Sequence, residues 1–228
     1  MGGIRVEVHE PVSALSTMLL ALFGGPKETK PHPIAVDAIA HVRPFLDHLS
    51  IAWLKEFAKT DDLVGLYGHA AQLAGPLSFT PRSRQIPAYL RGYEPQRMKE
   101  LPARLAAFYG DAKLGAFRRA RTPEYTLAET DVRDALGGAG IEPFLRDLYG
   151  PVKYALVVAP VPTHPRSGGG TWAASPWESF AFLHPPRVAA GSADLVTWSS
   201  DPERTRVLAQ RELSRALFDD AAREHKDL

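Results

Sequence analysis

Residues 4–9 read I-R-V-E-V-H, an apolar–polar alternation of period two that predicts a short strand. Glu10-Pro11 then opens a helix, because proline in a first turn gives up an N–H that has no helical partner there. The apolar run continues to Phe23 and stops at Gly24-Gly25-Pro26. After a proline-rich loop at 26–33, a helical stretch is predicted over 34–59, broken or kinked at Pro44. Phe45, Leu49, Trp53 and Phe57 recur there every four residues and are expected on the core face. Further helices are predicted over 63–77, 98–119 and 123–135, with Leu101, Leu105, Phe108 and Ala112 on one side of the second. Residues 76–95 carry four prolines and read as loop or short helical pieces. Gly137-Gly138-Ala139-Gly140 is a flexible joint, and a short helix over 141–149 ends at Gly150-Pro151.

The pattern then changes. Residues 154–161, Y-A-L-V-V-A-P-V, form a nearly continuous apolar run, as a strand buried on both faces would. Residues 177–183, W-E-S-F-A-F-L, predict a second strand and 195–198 a short third. Between the first two lies a loop with Pro162, Pro165 and Gly168-Gly169-Gly170. It is no phosphate loop, since no G-K-S/T follows and no helix begins there. A last helix is predicted from about 202 toward 226, capped by Ser199 or Ser200, with Asp201 and Glu203 in its first turn to suit the dipole. The fold class is therefore α+β, mainly helical. Residues 1–148 form a helical part and 149–228 a smaller α+β part with a small sheet, and the two need not be separate domains.

Composition narrows the function classes. Of 228 residues, 45% are hydrophobic and 23% charged, enough apolar material for a real core. The formal net charge of +1 gives no strongly basic face, so no nucleic-acid partner is expected. The absence of cysteine removes disulfides, thiolate zinc sites and cysteine nucleophiles. The first ten residues carry one arginine and two acids and do not open like a signal peptide. The apolar run at 12–23 is too short to span a bilayer and is interrupted by Ser13, Ser16 and Thr17. A cytoplasmic protein without membrane association is expected.

The chemistry concentrates in the last helix. Val207, Arg211, Ser214, Arg215, Phe218 and Ala222 are spaced three and four apart and form one stripe, apolar except at the two arginines and the serine. Two arginines one turn apart in such a stripe have an ordinary explanation: their stems cover apolar surface while the heads reach water. A second explanation comes from the segment R-E-L-S-R at 211–215, which aligns with the H-E-x-x-H of zinc peptidases. The order of the other segments adds to it: I-R-V-E-V-H-E-P-V-S-A-L, then R-P-F-L-D-H-L-S-I-A-W-L-K-E-F, then L-A-A-F-Y-G-D-A-K-L-G-A-F, then Y-A-L-V-V-A-P-V-P before G-G-G. In that order the chain resembles, loosely over most of its length, a little-characterised bacterial family of zincin-like proteins with an HExxH helix.

The resemblance implies a zincin-like fold with Arg211 and Arg215 at the two histidine positions and Glu212 at the general-base position. It implies a third zinc ligand downstream, for which Glu224 and His225 are the candidates besides aspartates. His225 lies four turns from Arg211, about 21 Å along a continuous helix. It also implies that the strand bordering the cleft, here 154–161, takes extended peptides by strand addition. Arginine stays protonated and offers only donors, so it cannot replace histidine on zinc. The resemblance thus implies a metal centre that has been lost, no cofactor, and a pseudoenzyme that binds a peptide, an acidic ligand or a partner protein through Arg211, Arg215 and Glu212. Two other readings stay open. One is an enzyme with an unrecognised site, for instance a metal-dependent hydrolase using His164, His184 or His225. The other is a structural or regulatory protein unrelated to zincins. His41 and His48, seven apart, have no evident third ligand, and no G-x-S-x-G elbow marks an activated serine.

Overall fold

The computed structural model describes residues 3–58, 63–75, 79–83, 90, 99–138, 140–152, 154–175 and 177–224. Its helices are α1 (Glu10–Phe23), α2 (Pro33–Val42), α3 (Leu49–Ala58), α4 (Leu63–Ala71), α5 (Leu101–Asp111), α6 (Leu114–Ala120), α7 (Thr122–Leu136), α8 (Ile141–Tyr149) and α9 (Pro202–Glu224). The strands are β1 (Arg5–Val6), β2 (Leu73–Ala74), β3 (Thr80–Pro81), β4 (Ala155–Pro160), β5 (Gly170–Ala174) and β6 (Glu178–Leu183). Strands β2 and β3 make a small hairpin. The other four form one sheet in the order β1-β4-β6-β5, with β1, β4 and β6 parallel and β5 antiparallel at the edge. The protein is a mainly helical α+β fold.

Helices cover both faces of this sheet. Val157, Ala159, Phe180 and Phe182 pack with α1, α4 and α5, while Leu156, Val158, Ala181 and Leu183 pack with α7, α8 and α9. Coverage on both faces and neighbours on both sides explain why β4 reads as an unbroken apolar run. It also corrects the expectation that 154–161 borders a cleft: β4 is interior, and the edge strands are β1 and β5, the latter beginning at Gly170 in a segment that reads as loop. The helical part and the α+β part share this sheet, since β1 pairs with β4 (Val6 beside Val158), and they share its cores.

Other departures have local causes. The break at Pro44 appears as a 3-10 turn over Arg43–Phe45, which re-phases the helix that follows. On α3 the buried residues are Ser50, Ile51 and Leu54; of the period-four stripe, Phe45 and Trp53 are partly buried against the core, Leu49 is exposed, and the side chain of Phe57 lies outside the described residues, so the stripe borders the core and is not its centre. The predicted helix over 98–119 begins, within the described residues, at Leu101 and divides at Lys113, which adopts a left-handed φ of 50°. There the Ala112 carbonyl turns to His41 Nε2 at 2.7 Å, and His48 Nε2 meets Asp111 Oδ2 at 3.1 Å, so both histidines hold the end of α5. The helix expected over 63–77 ends at Ala71 and leads into β2. Most of 76–95 lies outside the described residues. No strand forms over 195–198; a 3-10 turn, Trp198–Ser200, precedes α9. The cap of α9 is Asp201, whose Oδ1 accepts from the Arg204 N–H at 3.0 Å, and not Ser199 or Ser200. No helix among the described residues is long and apolar enough to cross a membrane.

Candidate functional site

Helix α9 lies against β5 and β6. Leu208, Ala209, Leu213, Ala216 and Leu217 are buried on its inner face. Val207 and Phe218 are exposed, and the Arg211 and Arg215 side chains are 45% and 55% exposed. The stripe 207–211–214–215–218 is therefore the outer face of the helix, not a core stripe; the side chain of Ala222 lies outside the described residues. From Arg211 onward this face forms one wall of an open surface groove of about 470 Å³, lined by Tyr149, Trp172, Arg211, Ser214, Arg215, Phe218 and Asp219.

Glu212 belongs to the inner face and is completely buried. Its carboxylate is met from the groove side by both guanidinium groups. Arg211 donates from Nε to Oε1 at 2.8 Å, with Nη2 beside it, and Arg215 donates from Nη1 to Oε2 at 3.3 Å. A carboxylate removed from water in this way requires such partners. Room for it comes from β5: a Cβ on Gly170 would lie 2.9 Å from Glu212 Cγ. The neighbouring Gly169 approaches a different group, since its Cβ would lie 3.1 Å from His184 Nδ1. The glycine run thus lets a strand edge pass between a helix carboxylate and an imidazole, which is the role of close backbone approach.

The structure brings His164 and His184 together. Their rings stack face to face, centroids 3.4 Å apart at 11°. His164 Nδ1 accepts from the Arg166 N–H at 3.0 Å, and His184 Nε2 lies 3.1 Å from Thr171 Oγ1. Ring lone pairs lie in the ring planes, so stacked imidazoles do not aim them at one point. Burial holds both neutral: His164 is pushed down to about 3, and His184 well below its ordinary value, with His164, Arg166 and Arg211 adding to the effect. His9 stands in the same stratum, its ring edge-on to Phe180 and Phe182, and is lowered to about 3 by burial and by Arg82, Arg118 and Arg5. His9, His164 and His184 all follow the carboxyl ends of the parallel strands β1, β4 and β6. His9 and Tyr67, which stacks at a tilt on His164, were not singled out from the sequence. The position of His9 just after a strand was the available signal. His225 lies outside the described residues.

A zinc ion does not fit the positions that the H-E-x-x-H alignment assigns to it. Both ligand positions carry permanent cations that only donate, and both cations are turned onto Glu212. Among the described residues, no three His, Asp or Glu side chains are grouped so as to hold a metal ion. What the arrangement offers instead is two guanidinium groups, the buried Glu212 carboxylate, the Asp219 carboxylate, and three aromatic residues around an open groove. Comparison with protein-family models, with curated proteins and with solved structures finds no match to this chain.

Proposed function

We propose that this chain is a non-catalytic zincin-like protein, a pseudo-metallopeptidase that acts in the cytoplasm as a module binding an acidic group or peptide. The observation that carries the reading is the pair Arg211 and Arg215. They occupy the histidine positions of the aligned helix, face an open groove, and clamp Glu212 while keeping about half of their side-chain surface exposed. Guanidinium forks match carboxylate geometry, and each of the two keeps donors that Glu212 does not use, although Asp219 on the same wall offsets the charge that Glu212 leaves.

Metal content tests the lost centre. Untagged protein purified without chelator, offered zinc and then freed of excess, is expected to retain essentially none by plasma mass spectrometry. Near one zinc per chain would sink the reading. Binding tests the retained role. A fluorescein-labelled, glutamate-rich peptide is expected to bind and to be lost on Arg211→Ala with Arg215→Ala; unchanged binding would remove the groove from consideration. Replacing both arginines by histidine tests whether this face of α9 can present a zinc-binding pair, because two groove-facing imidazoles at i and i+4 should give measurable zinc affinity.

A second reading is favoured by a specific observation, the stacked pair His164 and His184, with His9 likewise following the carboxyl end of a parallel strand. Ligands bind at such ends in α/β sheets. An enzyme using them would show activity sensitive to His184→Asn and indifferent to Arg215→Ala.

A further inference from the structure

Three features of the groove restrict the ligand further. The first is the way each guanidinium is held. Arg211 spends Nε and Nη2 on Glu212, which leaves the Nη1 side of the fork away from that carboxylate, and Arg215 reaches Glu212 through Nη1. Each keeps an edge with two parallel donors, the geometry that takes a carboxylate in two hydrogen bonds. The second is charge. Glu212 and Asp219 set two carboxylates against the two cations, so the groove has no surplus charge to hold a phosphate dianion, and an anion is taken through the hydrogen-bonding edges of the guanidinium groups. The third is the apolar wall. Phe218 is exposed one turn beyond Arg215, and the rings of Tyr149 and Trp172 complete that side. Residues three apart on a helix have Cβ atoms about 5–6 Å apart, so a charged and an apolar contact lie within the span of a single residue.

We propose that the groove takes the free C-terminal carboxylate of a peptide whose last side chain is bulky and apolar, a reading that rests on the binding role proposed above. A terminal residue carries its carboxylate and its side chain on one Cα and so meets Arg215 and Phe218 together. An internal Asp or Glu carries the charge without the apolar group. Because the groove is open, the preceding chain leaves toward solvent.

Fluorescence anisotropy with four probes tests this on the full chain: fluorescein-Gly-Ser-Gly-Ala-Phe as free acid, the same peptide as its C-terminal amide, the free acid ending in Gly, and a glutamate-rich peptide with an amidated end. The Phe free acid should bind at least about ten-fold more tightly than the amide, the scale of a lost charge-assisted pair. It should also exceed the Gly-ending peptide, and inorganic phosphate should not displace it. Phe218→Ala should erase the preference for Phe over Gly. Glu212→Gln should strengthen the free acid several-fold, since both forks are then released toward the groove; this variant keeps both arginines and leaves no unpaired buried charge. Equal binding of acid and amide, displacement by phosphate, or weaker binding in Glu212→Gln would overturn the C-terminal reading. If the glutamate-rich peptide alone bound, this inference would fall and the acidic-ligand role would stand. If none of the four bound, both would fall.

Discussion

Glu212 is the residue on which the site's energetics turn. A buried carboxylate that loses all its partners destabilises a fold by about 3–5 kcal/mol. Here the partners are two half-exposed arginines, and either one alone still neutralises it. Arg211→Ala and Arg215→Ala should therefore each cost little, while the double variant costs more than their sum, by an interaction energy of about 0.5–3 kcal/mol. Urea unfolding of the four proteins measures it. On a Glu212→Gln background the coupling should vanish, and strict additivity in the wild-type background would show that the clamp contributes nothing.

At the scale of elements, α9 and β5 fit closely. A Cβ on Gly170 would lie 2.9 Å from Glu212 Cγ and 3.2 Å from the Phe182 carbonyl, the latter being backbone that cannot swing aside. Gly170→Ala should separate the edge strand from the helix, lower stability by roughly 1–3 kcal/mol through overpacking, and weaken ligand binding in the groove. Gly3, for which an added Cβ meets nothing within 4 Å, is the control whose substitution should be silent. Unaltered melting and binding in Gly170→Ala would mean the helix does not sit this close. The break at Lys113 is a second element-scale feature. A left-handed φ costs a side-chain-bearing residue about 1–2 kcal/mol, so Lys113→Gly should raise the melting temperature slightly rather than lower it.

For the molecule as a whole, the buried histidines set the response to acid. Burial lowers His9 and His164 to about 3 and His32 and His69 to about 4, and His184 well below its ordinary value. In each case the unfolded chain takes up a proton near pH 6.5 and the folded chain does not. Their contribution is thus complete above pH 6.5 and is lost as pH falls from there toward 4–3. Melting temperature should fall steeply between pH 7 and 5 and be less steep in His32→Gln. A flat profile over that range would contradict the burial of these rings.

The covalent pattern by itself determined the mixed class, the positions of most helices, the apolar strands at 155–160 and 178–183, and the pairing of Arg211 and Arg215 on one face of α9. These follow from periods of two and 3.6 and from proline and glycine stops, all of which are local. Only the tertiary structure decided that β4 is interior and that Gly170–Ala174 supplies one of the two edges. It also decided that Arg211 and Arg215 face a groove while Glu212 faces the sheet. Strand order and burial depend on contacts between residues far apart in the chain, here Arg5 with Val157 and Gly170 with both Leu183 and Glu212. Of the glycine run, Gly168 and Gly169 stay in the loop that local propensity predicts, and only Gly170 enters β5, where it pairs with Leu183 under Glu212.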